Sequence, residues 1–153
     1  MATIQSSAFR PGETIPDQYT CKGVNISPPF SWSGAPENTK SFALICDDPD
    51  APGGMWVHWV VWNIPASTTS LPPNIPKTAK LPDGSEQGVT DFGRAGYGGP
   101  CPPPGKPHRY FFKLYALDVP YLDVPGQGTK SDLEKAMTGH ILGQAEMFGF
   151  YKR

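Results

Sequence analysis

Short apolar runs alternate along the chain with clusters of proline and glycine. The three longest are Ser41–Cys46, Trp56–Ile64 and Arg109–Leu117. Their β-branched and aromatic side chains predict strands rather than helices. With a period of two, Trp56, His58, Val60 and Trp62 fall on one face of the second run, and Val57, Trp59 and Val61 on the other. Both sets are apolar, which predicts a central strand covered on both sides and encloses His58 among large neighbours. Only Ser131–Met137 reads as helix, with Ser131 and Glu134 spaced as a capping box and Gly139 as the stop. His140, just behind that stop, is expected to meet the free carbonyls of the helix end. In the tail, Ile141–Tyr151, two glycines and three aromatics favour a last strand over a longer helix.

Composition sharpens this picture. Proline (19) and glycine (17) together make 36 of 153 residues, too many for long helices, and they follow no period that would signal a collagen or solenoid. The length predicts a single domain over residues 1–153, with a folded surface of roughly 7,600 Å² by size scaling. The apolar content is ordinary for a globular protein, so disorder is excluded.

Lys plus Arg is 13 and Asp plus Glu is 14, giving a net charge of −1. Neither half has the cationic excess that a phosphate backbone demands, so nucleic acid is a poor partner. No apolar run approaches the roughly 20 residues of a membrane-spanning helix, and the opening residues lack a signal pattern. Cys21, Cys46 and Cys101 are odd in number and show no CxxC spacing. They read as reduced thiols of a cytoplasmic protein, with neither a disulfide framework nor a metal site.

Leu71–Pro107 contains no convincing element, and its last part is the densest: residues 93–107 hold five glycines and five prolines. Long irregular segments within domains are usually functional or disordered. Here proline stiffens the chain while glycine lets backbone N–H groups approach a ligand, which favours an ordered binding loop. Polar groups collect at the strand borders around it. Asp47, Asp48 and Asp50 follow the first run, His58 lies early in the second, and His108 and Tyr110 open the third. If the three strands are neighbours, these groups converge at one end of a sheet.

No G-x-S-x-G elbow or H-E-x-x-H motif is present, and Gly126–Ser131 lacks the phosphate-loop order. What remains is a small anion site. Two imidazoles, a phenol and glycine N–H groups are the donors that recognise a phosphoryl group without an arginine cluster. An Asp beside such an anion repels it unless it shares a proton or orients a histidine. The alternative for Asp48 and Asp50 is a plain role in holding turn amides.

Ser27-Pro28-Pro29-Phe30-Ser31-Trp32, Asp48-Pro49-Asp50-Ala51-Pro52, Trp56-Val57-His58-Trp59 and the Gly98–Tyr110 run resemble the phosphatidylethanolamine-binding protein family, in particular its bacterial and archaeal Raf-kinase-inhibitor-like branch. The resemblance runs to Tyr151. It implies a mostly β fold: a large, mainly antiparallel central sheet against a smaller sheet, with one or two short peripheral helices. It also implies a pocket for phosphate, acetate or a phospholipid head group, formed by Asp48, Ala51, Pro52, His58, the backbone near Gly98 and Gly99, Pro102, His108 and Tyr110, with a cis peptide at Ala51–Pro52; Asp50, at the same strand border, is a further candidate. Two departures stand out: Val57 replaces a first histidine, and no C-terminal helix follows Arg153. Raf regulation is therefore not carried over.

The function expected is non-enzymatic binding of a phosphoryl or carboxylate group, without cofactor or metal, with a signalling role left open. The alternatives are inhibition of a protease or kinase through the Gly/Pro loop and, third, weak phosphoester hydrolysis. A homodimer is a further expectation, with Phe148, Phe150 and Tyr151 as interface candidates.

Overall fold

In the computed structural model, which describes residues 2–153, the second and third long runs both pair with the first, which lies between them. The strands are β1 (Thr3–Gln5), β2 (Phe30–Ser33), β3 (Ser41–Asp48), β4 (Trp56–Pro65), β5 (Ser70–Leu71), β6 (Glu86–Gln87) and β7 (His108–Leu117). One helix, α1 (Lys130–Met137), precedes the last strand, β8 (Ile141–Tyr151). Five strands form an antiparallel sheet in the order β6-β4-β3-β7-β8, and three form a small antiparallel sheet, β1-β2-β5. The fold is mostly β with two sheets and one helix, as the family resemblance implies. The tail is a strand.

Every residue of β3 is buried, because the large sheet is covered on both faces. One face packs Phe42, Leu44, Cys46, Phe112 and Leu114 against Ile4, Phe30, Trp32 and Leu71 of the small sheet. The other packs Ala43, Ile45, Val60 and Trp62 against Leu133 and Met137 of α1. At about 25 cal/mol per Å² of buried apolar surface, these two layers are the main source of stability.

The alternation read along β4 holds only at its start. Asp48 pairs with Trp56 and Asp47 with Val57, but Cys46 pairs with Trp59, so His58 is an extra residue in the ladder. This β-bulge leaves Trp56 and His58 on one face and moves Trp59 and Val61 onto that same face. Val60 and Trp62 join Val57 on the helix side. The period was right locally and inverted beyond the bulge.

Two further expectations are corrected, and the one for His140 is met through its backbone. The helix starts earlier, with Thr129 as N-cap: its hydroxyl accepts from the Asp132 N–H and the Asp132 carboxylate accepts from the Thr129 N–H. The same capping chemistry has moved by two residues, following the left-handed Gly128 that packs under Trp62. His140 donates its backbone N–H to the Met137 carbonyl, while its ring pairs with Asp118 at 2.9 Å. Most importantly, the cysteines are not all free: Cys21 and Cys101 form a disulfide, and only Cys46 is an unpaired, buried thiol. A separation of 80 residues with no motif at either end gave no sequence signal. No helix among the described residues is long and apolar enough to cross a membrane.

Candidate functional site

Antiparallel pairing of β3 with β4 and β7 brings Asp48, His58 and Tyr110 onto one face at one end of the large sheet, and His108 opens β7 beside them. A cavity of about 280 Å³ lies over these groups. Of the residues singled out in the sequence, Asp48, Ala51, Pro52, His58, Pro102, His108 and Tyr110 line it. Trp56, Phe92, Cys101 and Pro103 complete the lining. Phe92 was missed because nothing in its surroundings marks it. Its ring stands edge-on to both Trp56 and His58, with centroids 5.7 and 5.3 Å away.

Each polar group is held by a specific partner. Asp48 Oδ1 accepts the Asp50 N–H at 2.7 Å, so the turn role and the pocket role coincide in one carboxylate. Its Oδ2 lies 2.7 Å from His108 Nδ1. His58 Nδ1 lies 2.6 Å from the Gly98 carbonyl. A carbonyl and a carboxylate only accept, so Nδ1 carries the proton in both rings. That leaves Nε2 of each imidazole as the polar atom the ring can offer to the cavity.

Electrostatics follow from enclosure. Burial, the largest influence, lowers the His58 pKa from its ordinary value; the Gly98 carbonyl and nearby carboxylates oppose it. Burial, then the negative Asp48, pushes the Tyr110 phenol well up, so its hydroxyl keeps its proton. The rings pack tightly: His58 and Tyr110 are edge-on at 5.1 Å, and His108 stacks on Tyr110 at 6.4 Å.

Other residues of the predicted set stand outside the cavity. Asp50 turns to Arg109, with Nε and a terminal nitrogen both 2.9 Å from its carboxylate. That hydrogen-bonded guanidinium holds Asp50 down at about 2. The pair ties the Asp48 turn to the start of β7. Gly98 donates its N–H to the His58 carbonyl, and Gly99 donates to Asn25 Oδ1, so both amides are already occupied. Their closeness serves packing: a Cβ on Gly99 would collide with the Tyr19 carbonyl oxygen. No cis peptide bond occurs among the described residues, so Ala51–Pro52 is trans. Tyr151 is buried and donates to Asp17, which removes it from any interface, whereas Phe148 and Phe150 are half-buried.

A second cavity, of about 360 Å³, lies between β4 and residues 68–85. Its lining is mainly apolar and includes no imidazole, so it lacks the donor set of the first.

The arrangement has counterparts among known proteins. The sequence matches the profile of phosphatidylethanolamine-binding proteins over residues 5–152. The chain belongs to the phosphatidylethanolamine-binding protein family. It is 54% identical to a UPF0098 protein of Methanothermobacter thermautotrophicus, with 98% of each chain covered, and 52% identical to one of Aquifex aeolicus, covering 98% of this chain and 88% of that one. Among solved structures, E. coli YbcL, described as a member of the mammalian PEBP family, superposes with a TM-score of 0.92 at 40% identity, covering 99% of this chain and 98% of YbcL. The PEBP homolog CT736 of Chlamydia trachomatis gives 0.89 at 40% identity, covering 99% and 97%. Membership in the phosphatidylethanolamine-binding protein family makes this a protein of the binding type.

Proposed function

We propose that the cavity binds a small anion, a phosphoryl or carboxylate group borne on a larger molecule, without converting it chemically. The observation that carries this reading is the shared tautomer: both imidazoles spend Nδ1 on the protein, leaving two Nε2 atoms and the Tyr110 hydroxyl for a ligand. Asp48 acts by orienting His108 rather than by touching the anion. The reading is non-enzymatic because no activated nucleophile faces the cavity: the Tyr110 phenol keeps its proton, and Cys46 is buried with its thiol pushed up.

The chemistry separates two ligands. With His58 neutral, Nε2 is an acceptor. A phosphate that still carries a proton donates to it, whereas acetate requires the ring to be protonated first. Calorimetry with phosphate and acetate at pH 6 and pH 8 tests this. Binding is expected for both at pH 6, with acetate losing more at pH 8. Binding that survives both His58→Ala and Tyr110→Phe places the anion elsewhere.

One observation favours a second reading, inhibition of a protease or kinase by insertion of a loop. Residues 103–107 are exposed, proline-rich, and braced at their base by the disulfide, which lowers the cost of ordering them against a target. Inhibition that persists in His58→Ala but disappears when Pro103–Lys106 is shortened supports it. A homodimer using the half-buried Phe111, Phe148 and Phe150 is decided by the mass in solution. The compartment proposed is the cytoplasm, where an accessible disulfide is held open unless an oxidant closes it.

A further inference from the structure

The cavity wall is held by a bond that anion binding does not use. Cys101, Pro102 and Pro103 line the pocket. Residues 101–107 include four prolines, and the N–H groups of Cys101, Gly105 and Lys106 make no backbone hydrogen bond. The last backbone anchor before this stretch is the Pro100 carbonyl, which accepts the Cys21 N–H at 3.1 Å; the next is the pairing of β7 with β8. Between them, the Cys21–Cys101 bond is the covalent tie that fixes the wall to the body of the protein, alongside the packing of the buried Pro102.

This bond is open to attack. Both cysteines are exposed, in contrast to the buried Cys46. The guanidinium of Arg153 lies 3.4 Å from Cys101 Sγ and 3.9 Å from Cys21 Sγ. A cation beside a sulfur stabilises its thiolate and so makes it the better leaving group.

We propose that Cys21–Cys101 is a reversible thiol–disulfide site that sets the affinity of the anion pocket. The reductant is a dithiol. Its thiolate attacks Cys21 Sγ, the S–S bond breaks, and Cys101 leaves as a thiolate beside Arg153 and takes up a proton. The second thiol of the reductant then closes on the mixed disulfide and releases Cys21. Two electrons and two protons pass from the dithiol to the protein, and the reductant departs as a disulfide. With the bond open, the wall must be ordered anew each time a ligand binds, so the affinity falls; oxidation tightens the pocket. The effect on affinity rests on the anion reading proposed above, whereas the effect on the wall does not.

The test compares oxidised protein, protein treated with dithiothreitol, and Cys21→Ser/Cys101→Ser, with inorganic phosphate as the probe. Backbone ¹⁵N order parameters of Cys101, Gly105 and Lys106 serve as a ligand-free readout (in the double variant, of Gly105 and Lys106). Reduction is expected to weaken phosphate binding about tenfold, the ordering cost of a few wall residues, and to lower those order parameters. The double variant is expected to match the reduced protein, and its unchanged far-ultraviolet dichroism shows that the fold persists. Arg153→Ala is expected to slow the reduction several-fold. If oxidised protein binds no phosphate, the anion reading fails, and the order parameters alone then decide whether the bond holds the wall. Equal affinity and equal order parameters before and after reduction overturn the switch, as does a bond that native protein keeps closed in excess dithiothreitol. An unchanged reduction rate in Arg153→Ala overturns the assignment of Cys101 as the leaving sulfur.

Discussion

Asp47 and Asp48 are adjacent residues of β3, both buried, and strand geometry sends them to opposite faces of the sheet. Asp47 faces α1. Its carboxylate lies 2.8 Å from Lys130 Nζ and 3.2 Å from Lys113 Nζ, so two permanent cations hold one anion and pin the start of the helix to the sheet. Asp48 faces the cavity. Its partners are a backbone N–H and an imidazole, and the imidazole has a second nitrogen left over. A buried carboxylate closed off by lysines is a clamp, whereas one that orients a switchable ring beside empty volume builds a site. Residue type alone does not separate the two; the face and the partner do.

The largest expected effect comes from breaking the clamp. Asp47→Asn leaves two lysine ammonium groups facing an amide, and is expected to cost about 3 kcal/mol of stability. That is the low end for a broken buried pair, because both lysines reach water in part. Urea unfolding measures it, and phosphate affinity should stay within about twofold.

Asp48→Asn should show the reverse pattern. The amide still accepts the Asp50 N–H, but it no longer fixes the His108 tautomer. Phosphate affinity is expected to drop about 10–30-fold, read by calorimetry, with a stability change of less than about 1.5 kcal/mol. Equal stability losses in the two variants would erase the distinction between them.

Next is a pH dependence whose sign follows from His58. In the free pocket, burial lowers its pKa below the ordinary 6.5. A bound carboxylate favours the charged ring and raises it. Binding in between takes up a proton, so the affinity for acetate falls by up to tenfold per pH unit as pH rises above the free-ring value, and is flat below it. Acetate is almost fully ionised above about pH 6, so a slope seen there belongs to the protein. Calorimetry in buffers of different ionisation enthalpy counts the proton directly.

The smallest effect is at the rim. Arg109 is exposed and Asp50 only half-buried, so Asp50→Asn is expected to cost less than about 1 kcal/mol at pH 7. Because Asp50 titrates near 2 rather than 3.8, its contribution is present above the ordinary carboxylate value and is lost as pH falls through about 2. Thermal melts of both proteins should converge there.

Local patterns were readable in the sequence, and pairing-dependent features were not. The strands at residues 41–46, 56–64 and 109–117 and the terminal strand follow from apolar, β-branched runs, and the structure extends each of the three by at most two residues at an end. The convergence of Asp48, His58, His108 and Tyr110 was legible because all four sit at strand ends that antiparallel pairing brings to one edge. The bulge at His58 was not, since an extra residue is visible only against the partner strand. The same holds for Asp50, whose carboxylate has an arginine 59 residues away as its partner. Gly98 and Gly99 were recognised as sites of close approach, but their amides are taken up by His58 and Asn25. The small strands β1 and β2 are three and four residues long, too short to carry a period.

The central claim is that an anion meets the free nitrogen of each pocket imidazole. The direct measurement is a long-range ¹H–¹⁵N spectrum of the three histidine rings during a phosphate titration at pH 6. The account predicts that Nε2 of His58 and of His108 shift together along one binding curve, while His140, paired with Asp118, stays still. Phosphate that moves neither pocket ring, or moves all three alike, contradicts it.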